Sequence, residues 1–313
     1  MGTLIGHVAP GFGFLMIGLW HLFNNTKLYS LNPSSYSANQ WFPTSKLKYL
    51  ELYLIMAGSW ASIAMELVIG PDKHQPFDDD GTIPSNHLHN FEHATISLSF
   101  FIYAAFAIVL DRLKPKAHYE LLQLLAAFAF AQQFILFHLH SADHMGMEGQ
   151  YHLLLQVVIL VSLITTLMGI TYRKSFLVSF IRSLSICFQG AWLILMGFVL
   201  WTPGLVPKGC FMNLEEGHLV VRCKTDEALH RAKSLVNIQF SWFLAMFVVF
   251  GMVFYLALLR MYPEMVEYWP VDKVDEDGSE DLESQKRNNS NPAEESKSFV
   301  PMGKGWTALE LER

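Results

Sequence analysis

Residues 235–259 read LVNIQFSWFLAMFVVFGMVFYLALL, 25 consecutive positions without a charge. A helix needs about 20 predominantly apolar residues to cross the hydrocarbon core of a bilayer, so this segment predicts a transmembrane helix. Six further stretches qualify upstream of it, at about 3–24, 48–69, 90–110, 120–138, 152–171 and 184–201. The connections between them are short and polar: Thr44-Ser45 precedes the second span, and Leu113-Lys114-Pro115-Lys116 separates the third from the fourth. No ten-residue alternation of the barrel type occurs, so strands are not expected. The expected fold is an all-α integral membrane protein, a seven-transmembrane-helix bundle over residues 1–260.

The composition agrees. Of 313 residues, 52% are hydrophobic and 16% charged, against about 25% charged in an average soluble domain. A disordered chain and a disulfide-dense miniprotein are excluded on that ground. The formal charge of -6 is unevenly spread. Residues 261–313 carry 13 acidic and 6 basic side chains, whereas residues 1–260 carry 15 and 16. The tail, rich in Asp, Glu, Ser and Asn, has the composition of a mostly disordered segment. It could recruit a cytosolic partner. With no basic surplus, nucleic acid is not an expected partner; membrane lipids are.

Lys and Arg set the expected orientation. Lys27, Lys46, Lys48, Arg112, Lys114, Lys116, Arg173, Lys174 and Arg182 fall in the odd-numbered connections, and Arg260 at the exit of the last span. Short even-numbered connections hold only Lys73, and the longer sixth holds five basic residues. Positive residues favour the cytosol, which predicts an exoplasmic N-terminus and a cytosolic C-terminus, in the plasma membrane or the endomembrane system. The first stretch lacks a basic n-region and an A-x-A-like site, so it reads as a retained span rather than a secretory signal. Its Gly11, Gly13 and Gly18 suit close helix packing. Cys187 lies within the sixth span. Cys210 and Cys223 share the sixth loop, where they could bridge in an oxidising lumen or stay as two thiols.

The histidines are also asymmetric. In this orientation only His21 and His118 of the 13 lie on the cytosolic half. The other eleven, His7, His74, His87, His89, His93, His138, His140, His144, His152, His218 and His230, are exoplasmic or at that boundary. Residues 87–93 read HLHNFEH and residues 138–144 read HLHSADH. One copy opens the third span and the other closes the fourth, so antiparallel helices bring both to one face. His89 and His93 share a helical face, as do His140 and His144. Neutral imidazole suits zinc or another transition metal, and three ligands plus a water make a catalytic zinc site. His89, His93, His140, His144, His7, His152 and Glu66 are therefore the candidate ligands, with Glu92 or Asp143 as general base. A carboxylate near the hydrocarbon edge is costly unless paired, which draws Glu66 into the cluster. A lone histidine at a helix end is ordinarily an interfacial ring, and imidazole also titrates near physiological pH. A proton- or metal-responsive cluster is accordingly a second reading.

If the chain is an enzyme, a membrane-embedded metal-dependent hydrolase is expected, with no nucleotide or haem. The alternative is a non-enzymatic scaffold or trafficking protein, or a pH or metal sensor, using the acidic tail. Transport is disfavoured, because polar groups beyond Glu51, Gln123, Gln132, Gln133, Gln156 and Gln189 look sparse through the depth of the bilayer. A G-protein-coupled receptor is a poor fit, since the last span has no Asn-Pro-x-x-Tyr-like string.

Gly6-His7-x-x-Pro10-Gly11, followed by Gly18-Leu19-Trp20, resembles the transmembrane protein 45 family. So do Arg182-Ser183-Leu184, Gln189-Gly190-x-Trp192 and Gly197-Phe198-x-Leu200. Glu51, Glu66, His138-x-His140 and His152 are similar to acidic and histidine positions of that family. The resemblance covers about residues 1–260, and the loops look like those of the plant branch. It implies a seven-span membrane protein and, for plant-type members, an association with responses to viruses and pathogens. It implies no reaction.

Overall fold

The computed structural model describes residues 3–71, 74–139, 146–215 and 218–264. Its seven helices are α1 (Leu4–Leu31), α2 (Leu50–Ala64), α3 (Leu88–Leu113), α4 (His118–His138), α5 (Met147–Thr171), α6 (Phe176–Trp201) and α7 (Asp226–Met261). By length and composition all seven can cross a membrane, α2 together with the π-helical turn Met65–Ile69 that continues it. The chain is thus read as an integral membrane protein.

Local chemistry sets the helix limits. Thr3 Oγ1 accepts the Gly6 N–H at 3.0 Å and opens α1, satisfying one of the orphan donors at a helix start. Ser175 and Thr225 do the same for α6 and α7. Lys114 closes α3 in the left-handed region, with φ 46°, immediately before Pro115. Several helices outrun the apolar spans. α1 continues past residue 24 because Asn25, Thr26 and Ser30 are themselves buried: Asn25 Nδ2 donates to Ser183 Oγ at 3.2 Å. α5 begins five residues before residue 152, which matters for the site.

The helices run alternately up and down. At one end the His7 ring of α1 stacks on Trp201 of α6, and Glu66 meets His93 of α3. At the other, Lys48 pairs with Asp111, Tyr119 O–H donates to the Gly169 carbonyl, and Ser30 O–H donates to the Tyr262 carbonyl. These are called the His7 end and the Glu51 end below. Residues 32–49 fold back over the Glu51 end and bury Tyr36, Ala38, Gln40 and Phe42.

α6 is the axis of the bundle. Of its most apolar 18-residue window 72% is buried, against 17% for α7. α1 lies directly against it, because glycines remove the side chains that would hold the two apart. A Cβ on Gly18 would meet the Cys187 backbone at 2.3 Å, and one on Gly190 would meet Leu15 N at 2.2 Å. Gly13, also expected at an interface, has nothing within 4 Å of that position. Seven residues separate Gly11 from Gly18 and Gly190 from Gly197, so the small residues form one stripe on each helix.

Two features depart from the expectations. Arg182, counted among the positive residues of the fifth connection, lies inside α6 and is 5% exposed. The sixth loop holds a hairpin, β1 (Cys210–Glu215) antiparallel to β2 (His218–Cys223), with Cys210 opposite Cys223. The strands are six residues each, too short for the alternation by which barrels are recognised. The two cysteines are disulfide-bonded, which closes the open question about them. Trp201 Nε1 donates to the Leu219 carbonyl at 3.2 Å, which seats the hairpin at the His7 end.

Candidate metal centre

His7 stands on the first turn of α1. Its Nδ1 lies 3.1 Å from the Thr3 carbonyl. A carbonyl only accepts, so Nδ1 carries the proton and the lone pair is on Nε2. Metal-ligating histidines are ordinarily oriented by such a bond from the other ring nitrogen to a carbonyl or carboxylate. The ring is 4.6 Å from Trp201 and 5.8 Å from the ring of His152, stacked on both. Gly197, one turn before Trp201, makes room for it: a Cβ there would lie 3.1 Å from His7 Cβ.

His152 is on α5, with its ring 5.4 Å from that of Phe137 on α4. One turn earlier on the same face stands Glu148. His7, Glu148 and His152 each bring one ligand atom into a group whose atoms all lie within 4.8 Å of one another. Both histidines are buried, at 6% and 3% exposure, and the carboxylate is half-buried. Zinc bonds of about 2.1 Å in tetrahedral geometry put ligand atoms roughly 3.4 Å apart. Small rotations of the three side chains would close that difference. Two imidazoles and one carboxylate form a donor set of the catalytic zinc type, which keeps a fourth position for water or substrate.

Beside this group, Glu66 projects from the π-helical turn. Asn90 Nδ2 donates to its Oε2 at 2.7 Å, and His93 Nδ1 lies 3.2 Å from its Oε1. His7 and His89 are within electrostatic reach of the same carboxylate. π-turns concentrate at functional sites. His89 and His93 contact edge to face, with ring centroids 6.4 Å apart. Gln156, one turn below His152, donates to the Phe137 carbonyl at 2.8 Å.

The sequence-derived candidates thus distribute as follows. His7 and His152 join in the three-donor group. Glu66 and His93 pair beside it, and His89 lies next to them. Glu92 is half-buried on α3 and is not a member of the three-donor group. His140, Asp143 and His144 lie outside the described residues. Glu148 was missed, since starting the fifth span at residue 152 left it in a loop. The signal was present in the four-residue spacing of Glu148 and His152. Asn90, Thr3 and Trp201 hold the ligands and carry no sequence mark of that role.

Part of the bundle is similar to a known protein family. Residues 119–256 match the family of unknown function DUF716. That family includes the transmembrane protein 45 proteins. The match runs from α4 into α7 and takes in Glu148, His152 and Gln156, whereas His7 and Glu66 precede it.

Proposed function

We propose that this chain is a membrane-embedded zinc protein, a plant-type relative of the transmembrane protein 45 proteins, in which His7, Glu148 and His152 hold the metal. The observation that carries the reading is the convergence of those three donors from α1 and α5 at one end of a seven-helix bundle. Zinc held by three protein ligands lowers the pKa of a bound water to about 7. Glu66, buried and within reach of His7, would take the proton. The activity proposed is hydrolysis of a lipid or acyl substrate at the membrane boundary. The His7 end is taken as exoplasmic, supported by the lysines and arginines of the opposite loops and by the bridged Cys210 and Cys223, which suit an oxidising lumen.

Elemental analysis of the full chain purified in detergent and incubated with zinc tests this. About one zinc per chain is expected, with loss of the metal in the His7→Ala/His152→Ala double variant. No stoichiometric metal in the wild type would overturn the site. Micelles of p-nitrophenyl palmitate test the chemistry separately: zinc-loaded wild type should release nitrophenolate and the double variant should not. A fully loaded protein that leaves long-chain esters intact would retain the site and remove the hydrolase reading.

A further inference from the structure

The interior of the bundle is more polar than the sequence suggested. Large polar side chains look sparse with depth, but serines, threonines, an asparagine and an arginine fill the intervals. On α5, His152, Gln156, Ser162 and Thr166 are all buried, spanning 14 residues or about 21 Å. On α1, His7 near one end and His21, Asn25 and Thr26 toward the other are buried, with Gly11 and Gly18 the buried residues between them; His7 and Thr26 are about 28 Å apart by the same rise. That approaches the ~30 Å thickness of the hydrocarbon core. Polar residues within membrane helices are expensive, face the bundle interior, and mark ion and proton pathways.

They are also connected. At mid-depth Gln189 Nε2 donates to Ser162 Oγ at 2.6 Å, and Ser162 Oγ lies 2.8 Å from Ser185 Oγ. Above this pair, Gln133 of α4 stands one turn below Phe137, whose carbonyl holds Gln156. Gln133 therefore lies at a depth between Gln156 and Ser162, which are roughly 9 Å apart along α5. Below it, Gly18 against Cys187 and Asn25 against Ser183 fix the register of α1 on α6. That register puts His21 at the level of Ser185. His21 Nε2 is 2.7 Å from Glu51 Oε1, with both groups buried.

Four buried polar atoms on this route have no hydrogen-bond partner: Gln133 Oε1, Gln189 Oε1, His21 Nδ1 and Thr26 Oγ1. An unsatisfied buried polar atom costs about 1–3 kcal/mol, and ordered water ordinarily relieves it. Two of the four are the mid-depth glutamine carbonyls, and the third is the open nitrogen of the histidine bonded to Glu51. We propose that water joins these atoms into a proton path through the bundle, from the Gln156 level below the metal centre to Glu51. A proton arriving from water binds His21 Nδ1. The ring releases its Nε2 proton to Glu51 Oε1, and Glu51 passes it to water at its own end. Each transfer moves one proton and leaves the ring neutral with its proton on Nδ1; a turn of the ring returns an N–H to face Glu51 and a bare nitrogen to the water before the next proton. The close spacing of Gln189, Ser162 and Ser185 admits no hydrated metal ion, so the conducted species is the proton. Arg182, bonded to Gln123 at 3.1 Å and to the Asn39 carbonyl at 3.3 Å, flanks the route. It and Glu51 are both within electrostatic reach of Tyr103, so the lower end of the path carries a fixed cation opposite its carboxylate. This function requires no bound metal.

The test is proton flux into vesicles holding the full chain and the pH dye pyranine, driven by a potassium gradient with valinomycin, against protein-free vesicles. Flux at least tenfold above the blank is expected. Gln189→Met and Gln133→Leu should each lower the flux at least tenfold, and Gln189→Ser, which keeps a hydroxyl and leaves room for water, should retain it. Size-exclusion elution of each variant verifies folding. Wild-type flux equal to the blank would overturn the path, as would undiminished flux in a folded Gln189→Met protein.

Discussion

Both ends of the bundle bury histidine beside a carboxylate, and the two arrangements differ in kind. At the Glu51 end the carboxylate is held by three protein partners, which leaves one lone pair on Oε1. It accepts from Trp20 Nε1 at 3.0 Å, from the Phe42 N–H at 2.8 Å, and bonds His21 at 2.7 Å. It thereby ties α1, α2 and the returning segment together. At the His7 end, ligand atoms from two helices converge on one small volume, where a cation would touch all three at once. The same residue types make, in one place, a clamp that also ends the proposed proton path and, in the other, a candidate metal centre. What separates them is that at the His7 end two imidazoles and a carboxylate bring ligand atoms within 4.8 Å of one another.

Breaking the clamp should have the largest effect. Glu51→Ala would strand an indole N–H, a backbone N–H and a buried imidazole. Removing one partner of a buried pair costs about 3–5 kcal/mol, which should appear as a much lower Tm in detergent whether or not zinc is present. The proposed metal centre predicts the opposite dependence. At free zinc 100-fold above Kd, binding stabilises by about 2.7 kcal/mol. A chelator should therefore lower the Tm of the wild type and leave that of His152→Ala unchanged. Equal responses of the two proteins to chelator would erase the distinction between the ends.

The glycine stripe that brings α1 to both sites gives a third effect, smaller again. Gly18→Ala drives a Cβ into the Cys187 backbone and should cost roughly 1–3 kcal/mol. Gly13→Ala, on the open side of the same helix, should be neutral or gain up to about 1 kcal/mol from helix propensity. Thermal denaturation of the pair separates packing from composition. The smallest effect is at the hairpin. The Arg222 guanidinium, followed by Asn213, holds the Glu215 carboxyl down at about 2, below its ordinary 4.5. A carboxyl depressed in the folded state stabilises fully above its unfolded value and loses that contribution as pH falls through the folded one. Amide exchange in the hairpin should thus gain protection between pH 2 and 4.5 in the wild type, and Glu215→Gln should flatten that profile.

The seven helices were legible because a membrane span needs length and apolarity, and both are written in the sequence. Their ends were less so. A hydropathy reading stops at the first polar residue, yet Asn25, Ser30 and Glu148 continue their helices because they find partners or neighbours inside the protein. Glu148 was lost for that reason, although its spacing to His152 is that of two residues on one helical face. Arg182 misled in the same way, as a charge read as a loop marker that is instead held within α6 by Gln123 and a backbone carbonyl. His7 and His152 could be nominated individually from the sequence. Their meeting depends on Gly197 and on the depth at which α1 lies against α6, which no local pattern encodes. The hairpin was invisible to a test designed for long strands.

The glycine-mediated contact between α1 and α6 also carries a consequence in time. The chain is made in the N-to-C direction, so His7 is made before any of its companions at that end. Its companions His152 and Trp201 emerge about 145 and 194 residues later, by their positions in the chain. His7 is therefore seated against its companions only after the sixth helix docks on the first, and metal acquisition at the proposed site would be a late event in the biogenesis of the molecule.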